Sequence, residues 1–271
     1  MKILKEGNKA PTSGITPAAE FIARIEEQQE GPIGLASLSD LLRTTLPSEA
    51  QPSPQQLRTI VDALSQEDRL MNILTTILHD PDLLRDIAAK SFGHSTGMER
   101  IELASSGQYA LRLHYWMPEA DEVITEDPHN HVYNFGSRIL SGSLVTDLFT
   151  VTQGEGTPMN MFDIASQNSE EKPVPQHSGV AHLTPTTAPE GLIFTKHDPS
   201  YTMSTETIHR VRQGDLAQPI ITLNLRGKAV KNTSTFFRNE HMQVANPVPV
   251  PVDVEDKVKL LLKVLEAKKP V

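Results

Sequence analysis

The residues of this chain best suited to chemistry are His129 and His131, separated by Asn130 and followed by Phe135 and Gly142. In a β-strand, residues two apart point to the same face, so both rings are predicted to aim one nitrogen at a shared ion. A third ligand must come from elsewhere in the chain. His209 is the natural choice, because it lies in Ser204-Thr205-Glu206-Thr207-Ile208-His209-Arg210-Val211, another segment with strand-like alternation. Three neutral imidazoles would bind a divalent ion and leave a coordination hemisphere free for other molecules. Imidazole suits iron, copper, nickel and zinc alike, so the ligand set alone does not choose the metal.

Elements must bring these side chains together, and the hydropathy pattern shows which. Phe21, Ile22 and Ile25 share a helical face, and Leu57, Ile60, Val61 and Leu64 recur at helical spacing. Leu70, Ile73, Leu74, Ile77 and Leu78 continue that stripe up to Asp80-Pro81, and Leu83, Leu84 and Ile87 resume it. Residues 1–99 are therefore predicted to form an N-terminal helical lobe, with a linker near 47–55 where Pro47 to Pro54 is rich in proline and polar residues. The apolar stripes of this lobe are read as core, since amphipathic helices of this kind usually close their own domain.

From Arg100 the period changes to two, with Tyr109, Leu111, Leu113 and Tyr115 alternating with Ala110, Arg112, His114 and Trp116. Further strand-like runs occur at residues 134–140, 143–151, 191–195, 207–211 and 220–225, punctuated by turn residues. Such spacing predicts a mainly β barrel over residues 100–245. The segment 152–190 has few aliphatic residues and reads as a long loop or insertion within it. Residues 246–271 comprise an extended Pro-Val repeat and an amphipathic helix carrying Val258, Leu261, Leu262 and Leu265. That helix is expected to pack on the barrel or against a second copy in a homodimer.

Composition limits the function. A formal net charge of -9, with no basic run longer than a pair, argues against nucleic-acid and anionic-membrane partners and for a small-molecule substrate. The 271 residues contain no cysteine, which excludes disulfides, thiolate ligands and cysteine nucleophiles and predicts a cytoplasmic protein. The first residues show no apolar run of signal-peptide length. No Gly-rich phosphate loop, paired catalytic carboxylates or Gly-x-Ser-x-Gly elbow is present.

The segment His129-x-His131-x3-Phe135-x6-Gly142 has the spacing of the first cupin motif, with Phe135 at the position usually held by glutamate, and Glu206-x2-His209 resembles a degraded second motif. Together with Tyr109-x-Leu-x-Leu-x-Tyr-Trp116, Leu140-Ser-Gly-Ser-Leu144, Ile208-His-Arg-Val211 and Thr222-Leu-Asn-Leu-Arg226, the order is similar to thiol dioxygenases of the cysteine dioxygenase type. The resemblance implies a cupin double-stranded β-helix barrel, with N-terminal helices, that holds non-haem Fe(II) on His129, His131 and His209. It implies a chelating substrate and O2 as co-substrate. Arg100 matches the place of the family's carboxylate-binding arginine, and its guanidinium fork suits that task.

The chain also departs from that pattern. Thr222, Asn224 and Arg226 stand where the family's cysteine oxidisers have serine, histidine and tyrosine, which puts cysteine in doubt as substrate. Asn224 and Arg226 are expected instead to bind an anionic group near the metal, supported by Thr222. With phenylalanine in place of the usual glutamate, the ion keeps its full charge, which favours an anionic or bidentate ligand. Tyr133 would share the inward face, and His114 is the most plausible supporting contact among the remaining histidines. Two other readings fit the same scaffold: a Zn, Ni or Mn isomerase or lyase that does not use O2, and a non-catalytic metabolite-binding cupin.

Overall fold

The computed structural model describes residues 16–27, 35–46, 52–93, 98–116, 126–165, 174–214, 217–239 and 251–267. Five helices come first: α1 (Pro17–Glu27), α2 (Leu35–Thr45), α3 (Pro54–Leu64), α4 (Glu67–His79) and α5 (Pro81–Ala88). Local sequence explains where they begin. Ser53 and Gln56 form a reciprocal capping box at the start of α3, and Pro54 occupies a first-turn position where its missing N–H costs nothing. The Asp80 carboxylate accepts the N–H groups of Asp82 and Leu83, so Asp80-Pro81 both ends α4 and starts α5. Residues 47–51, most of the predicted linker, lie outside the described residues, as do 246–250 of the Pro-Val repeat.

Twelve strands follow: β1 (Phe92–Gly93), β2 (Glu99–Ser105), β3 (Ala110–Trp116), β4 (Tyr133–Ser141), β5 (Ser143–Thr152), β6 (Thr157–Ala165), β7 (Gln176–Pro185), β8 (Leu192–Thr195), β9 (Tyr201–Met203), β10 (Ile208–Gln213), β11 (Ile220–Ala229) and β12 (Thr233–Arg238). A last helix, α6, covers Val254–Glu266. The first antiparallel sheet has the order β1-β2-β3-β11-β4-β9 and the second β10-β5-β7-β6-β12, with β8 added to β5. The molecule is thus mainly β, with two curled sheets, a leading helical lobe and a trailing helix, as the cupin-type reading of the sequence predicts. Among the described residues, no helix is long and apolar enough to cross a membrane.

The two faces of the first sheet have different fates. Leu111, Leu113 and Tyr115 of β3, with Leu223 and Leu225 of β11, are buried against α3, α4 and α6 through Leu57, Ile60, Leu64, Leu74 and Leu261. The alternate residues face the space between the sheets. Helix α6 packs its Val258 and Leu261 into this same core, and Tyr115 donates a hydrogen bond to the Lys257 carbonyl at 2.9 Å. Its apolar face is therefore covered within its own chain.

Two glycines make close approaches possible. At Gly136 in β4, a Cβ would stand 2.9 Å from the Arg58 backbone nitrogen, so α3 lies directly on the strand. Gly142 is the one residue between β4 and β5. Its φ of +68° and a would-be Cβ contact of 2.7 Å to Ile220 both demand glycine there.

The sequence reading needs correction over 152–190. Most of this stretch is not a loop, because β6 and β7 pair along Thr157–Asp163 with Gln176–Leu183 and belong to the second sheet. Their polar, partly exposed faces hide the alternation that identifies a strand, while Ala181 and Leu183 are buried beside Phe237 and Ile208. Strand β12, absent from the predicted runs, closes onto β6. Residues 166–173 are outside the described range.

Candidate metal centre and its cavity

His129 and His131 do not lie on a regular strand of either sheet, contrary to expectation, since β4 begins only at Tyr133. The extended residues before it act as a seam. The Glu126 N–H donates to the Val211 carbonyl, His129 and His209 exchange N–H to O=C bonds of 2.8 and 2.9 Å, and the Asn130 N–H donates to the Thr235 carbonyl. Residues 126–130 therefore bridge β10 on one side and β12 on the other, joining the two edges of the second sheet. The mutual bond pair sets His129 directly opposite His209, which places both imidazoles on one face.

The three rings converge. Their centroids are 4.8 Å apart for His129 and His131, 4.6 Å for His129 and His209, and 5.0 Å for His131 and His209. One ligand nitrogen from each lies within 4.8 Å of the others, the sole such metal-capable group among the described residues. His129 Nδ1 is 2.8 Å from the Asp127 carbonyl oxygen. A carbonyl only accepts, so this Nδ1 carries the proton and Nε2 presents its lone pair to the centre. His209 Nδ1 makes a longer contact of the same kind, 3.4 Å to the Thr207 carbonyl.

Electrostatics keep the group ready for a cation. Burial, reinforced by His129, pushes the His209 pKa down to about 3. Burial also holds His131 well below its usual value, with His129 and His209 adding to the effect. Both rings are neutral at pH 7, the state that ligation requires. Neutral, convergent, backbone-oriented imidazoles suit a borderline divalent ion such as Fe(II), Zn(II) or Ni(II).

Aromatic rings enclose the group. Phe135 meets His131 edge-on at 5.2 Å, Phe236 stacks on His129 at 5.2 Å, and Tyr133 stacks on His131 at 5.2 Å. Phe135 thus occupies the neighbourhood where a carboxylate ligand would otherwise reach. Glu206 does not replace it: its side chain is 85% exposed and lies 3.9 Å from Lys231 Nζ.

The histidines open onto a cavity of about 380 Å³ between the sheets. Arg100, Thr222 and Asn224 line it, as does His114, whereas Arg226 does not. The Arg226 guanidinium lies 5.1 Å from the Tyr133 ring centroid, with Nη2 donating a long 3.5 Å bond to the Gln108 carbonyl. Arg226 thus lies next to a cavity-lining residue, Tyr133, without lining the cavity itself. Arg100 stacks 3.9 Å over Phe92, its partner across the β1–β2 ladder. Stacking fixes the plane of its guanidinium while leaving the N–H edge unused, and Nε has no hydrogen-bond partner. Burial, then the nearby Arg112 cation, lowers the Arg100 pKa to about 10, which still leaves it charged at pH 7.

Sequence reasoning passed over Arg112, Trp116, Glu126 and Tyr201, all of which line the cavity. Arg112 is bound to Glu102, with Nε and Nη2 3.1 and 3.0 Å from one carboxylate oxygen. The alternation of β3 already put Arg112, His114 and Trp116 on one face; only the packing of the helices on the other face shows that this one turns inward.

No family model and no curated relative matches the sequence. Among solved structures, the chain is similar to a cupin superfamily protein from Desulfitobacterium hafniense DCB-2, with 10% identity over 52% of this chain and 87% of the other and a TM-score of 0.27. It is similar to an oxalate oxidase with 12% identity, 65% and 76% coverage and a TM-score of 0.32. It is also similar to the hydroquinone 1,2-dioxygenase PnpCD, with 11% identity, 48% and 63% coverage and a TM-score of 0.26. Likenesses with scores this low have no bearing on activity.

Proposed function

We propose that this protein is a cytoplasmic Fe(II)-dependent dioxygenase that oxidises a small anionic metabolite with O2, with His129, His131 and His209 as the metal ligands. The observation that carries this reading is the all-histidine group opening onto a cavity between the sheets that also holds a stacked arginine whose Nε has no hydrogen-bond partner. A ferrous ion, when bound, supplies redox exchange with O2 and free positions for a chelating substrate. Both oxygen atoms would enter the product, so the four electrons taken up by O2 come from the substrate and no separate reductant is required.

The chain's own residues do the rest. Arg100 binds the anionic group of the substrate through its N–H edge, and Asn224 and Thr222, neighbours on the inward face of β11, orient it. Arg226 acts from beside Tyr133 by adding positive potential. Phe135 leaves the metal charge uncompensated by any protein carboxylate, which strengthens attraction for a thiolate or carboxylate ligand. Phe135, Phe236 and Tyr133 exclude water from the histidines.

The test is anaerobic purification, metal analysis after Fe(II) loading, and oxygen-electrode assays with thiol and carboxylate candidates. One tightly held iron per chain and substrate-dependent O2 uptake are expected, both lost in His131→Ala. Turnover without O2 uptake would assign a Lewis-acid isomerase or lyase instead, and ligand retention with no turnover a binding protein.

A further inference from the structure

The cavity wall formed by the first sheet is graded in polarity, and its register shows how. Across β3 and β11, Trp116 pairs with Ile220, His114 with Thr222, Arg112 with Asn224 and Ala110 with Arg226. Strand β2 continues the layers, with Arg100 opposite His114 and Glu102 opposite Arg112. Successive inward residues are about 7 Å apart along a strand. Within roughly 14 Å the wall therefore passes from aromatic and aliphatic to cationic.

The apolar end is a packed cluster of Met98, Trp116, Ile139, Leu144 and Ile220, with Val211 of β10 against it. Val211 is two residues from His209 on the same strand. The histidine group thus lies between the apolar end and the arginine end. At the arginine end three cations surround one carboxylate: Glu102 is taken by Arg112, while Arg100 Nε and Arg226 Nε have no hydrogen-bond partner. Thr222 Oγ1, on the cavity wall, is also without one. Arg100 and Thr222 border the cavity, and buried donors left in this state call for an anionic acceptor.

The apolar end also sets a limit on charge. A second anionic group there would be desolvated against Met98, Trp116 and Leu144.

We infer that the substrate is an apolar, aryl-sized monoanion: one carboxylate or similar group held by Arg100 beside Thr222 and Asn224, and an apolar body lying against Trp116, Met98, Leu144 and Val211. The inference deepens the proposed function, resting on the cavity being the substrate site of that enzyme. It excludes small polar amino acids as the preferred ligands, because they would leave the Trp116 end filled only with water. It also excludes dianions with charges at opposite ends.

Trp116 is the only tryptophan in the chain, so its fluorescence reports binding at the apolar end directly. Titrations of metal-free and Zn(II)-loaded protein, without O2, would compare 3-phenylpropionate, acetate, 3-phenylpropionamide and 3-(4-carboxyphenyl)propionate. Phenylpropionate is expected to perturb Trp116 and to bind at least tenfold more tightly than each of the other three. In Arg100→Gln the acid should fall to the affinity of the amide. If acetate matches phenylpropionate, the apolar end is refuted; if the amide matches it, the anionic end is; if the second carboxylate is tolerated, the single-charge limit is. Because no turnover is involved, the full ligand order with no O2 uptake on Fe(II) would overturn the dioxygenase reading and leave this one standing.

Discussion

His129 shows how much of the centre depends on one residue's backbone. Its main chain is tied to His209, its Nδ1 to the Asp127 carbonyl, and Asp127 in turn is paired with Arg238 of β12. Arg238 touches no ligand atom yet holds the segment that aims the ring. Arg238→Ala is expected to weaken divalent-metal affinity about tenfold, the lower end of the usual cost of losing an orienting contact, as read by chelator competition. His209→Ala should abolish stoichiometric binding in the same assay.

The pH response belongs to the same residues. The folded state holds His209 near pKa 3, against 6.5 in the open chain. As pH falls below about 6.5 the unfolded chain takes up a proton that the folded one refuses, so this contribution to stability is intact above 6.5 and drains away towards pH 3. Thermal unfolding of metal-free protein should therefore show Tm declining between pH 6.5 and 5, before most carboxylates titrate. His209→Asn should flatten that slope; an unchanged slope would refute the assignment.

At the scale of elements, the contact between α3 and β4 leaves no room for a side chain. A methyl group at Gly136 would press on the α3 backbone, which has no flexible end to move aside. Gly136→Ala should cost about 1–3 kcal/mol, the usual range for overpacking, and be visible in urea unfolding. Helices α1, α3, α4, α5 and α6, the β3 alternation and the β10 and β11 runs were legible because each carries its own period; α2 was passed over. Strands β6, β7 and β12 were not, because their outer faces are polar and their pairing partners are distant in sequence. The regular strand expected at His129 and His131 failed for a related reason: those residues complete a sheet by bridging two edges instead of forming a ladder of their own.

For the whole molecule, the first sheet is a partition between two interiors, one apolar under the helices and one of mixed polar and apolar lining around the histidines. Leu223, fully buried on the helical side, neighbours Thr222 and Asn224 on the cavity side. Leu223→Ala is expected to lower unfolding free energy by about 2–5 kcal/mol, measured by chemical denaturation. Metal content per folded chain should stay near the original value, because the ligands sit on the seam and on β10.

The amino-acid sequence by itself determined the helical lobe, the change of period near residue 100, the three histidines and the face shared by Thr222, Asn224 and Arg226. Those features are local: spacing along the chain decides which side chains lie together on one helix or strand. Only the tertiary structure decided which face of each strand turns inward, that Arg100 lines the cavity while Arg226 does not, and that residues 126–130 close the second sheet. A period of two defines two faces without naming the buried one, and that choice is made by what packs against each of them from elsewhere in the chain.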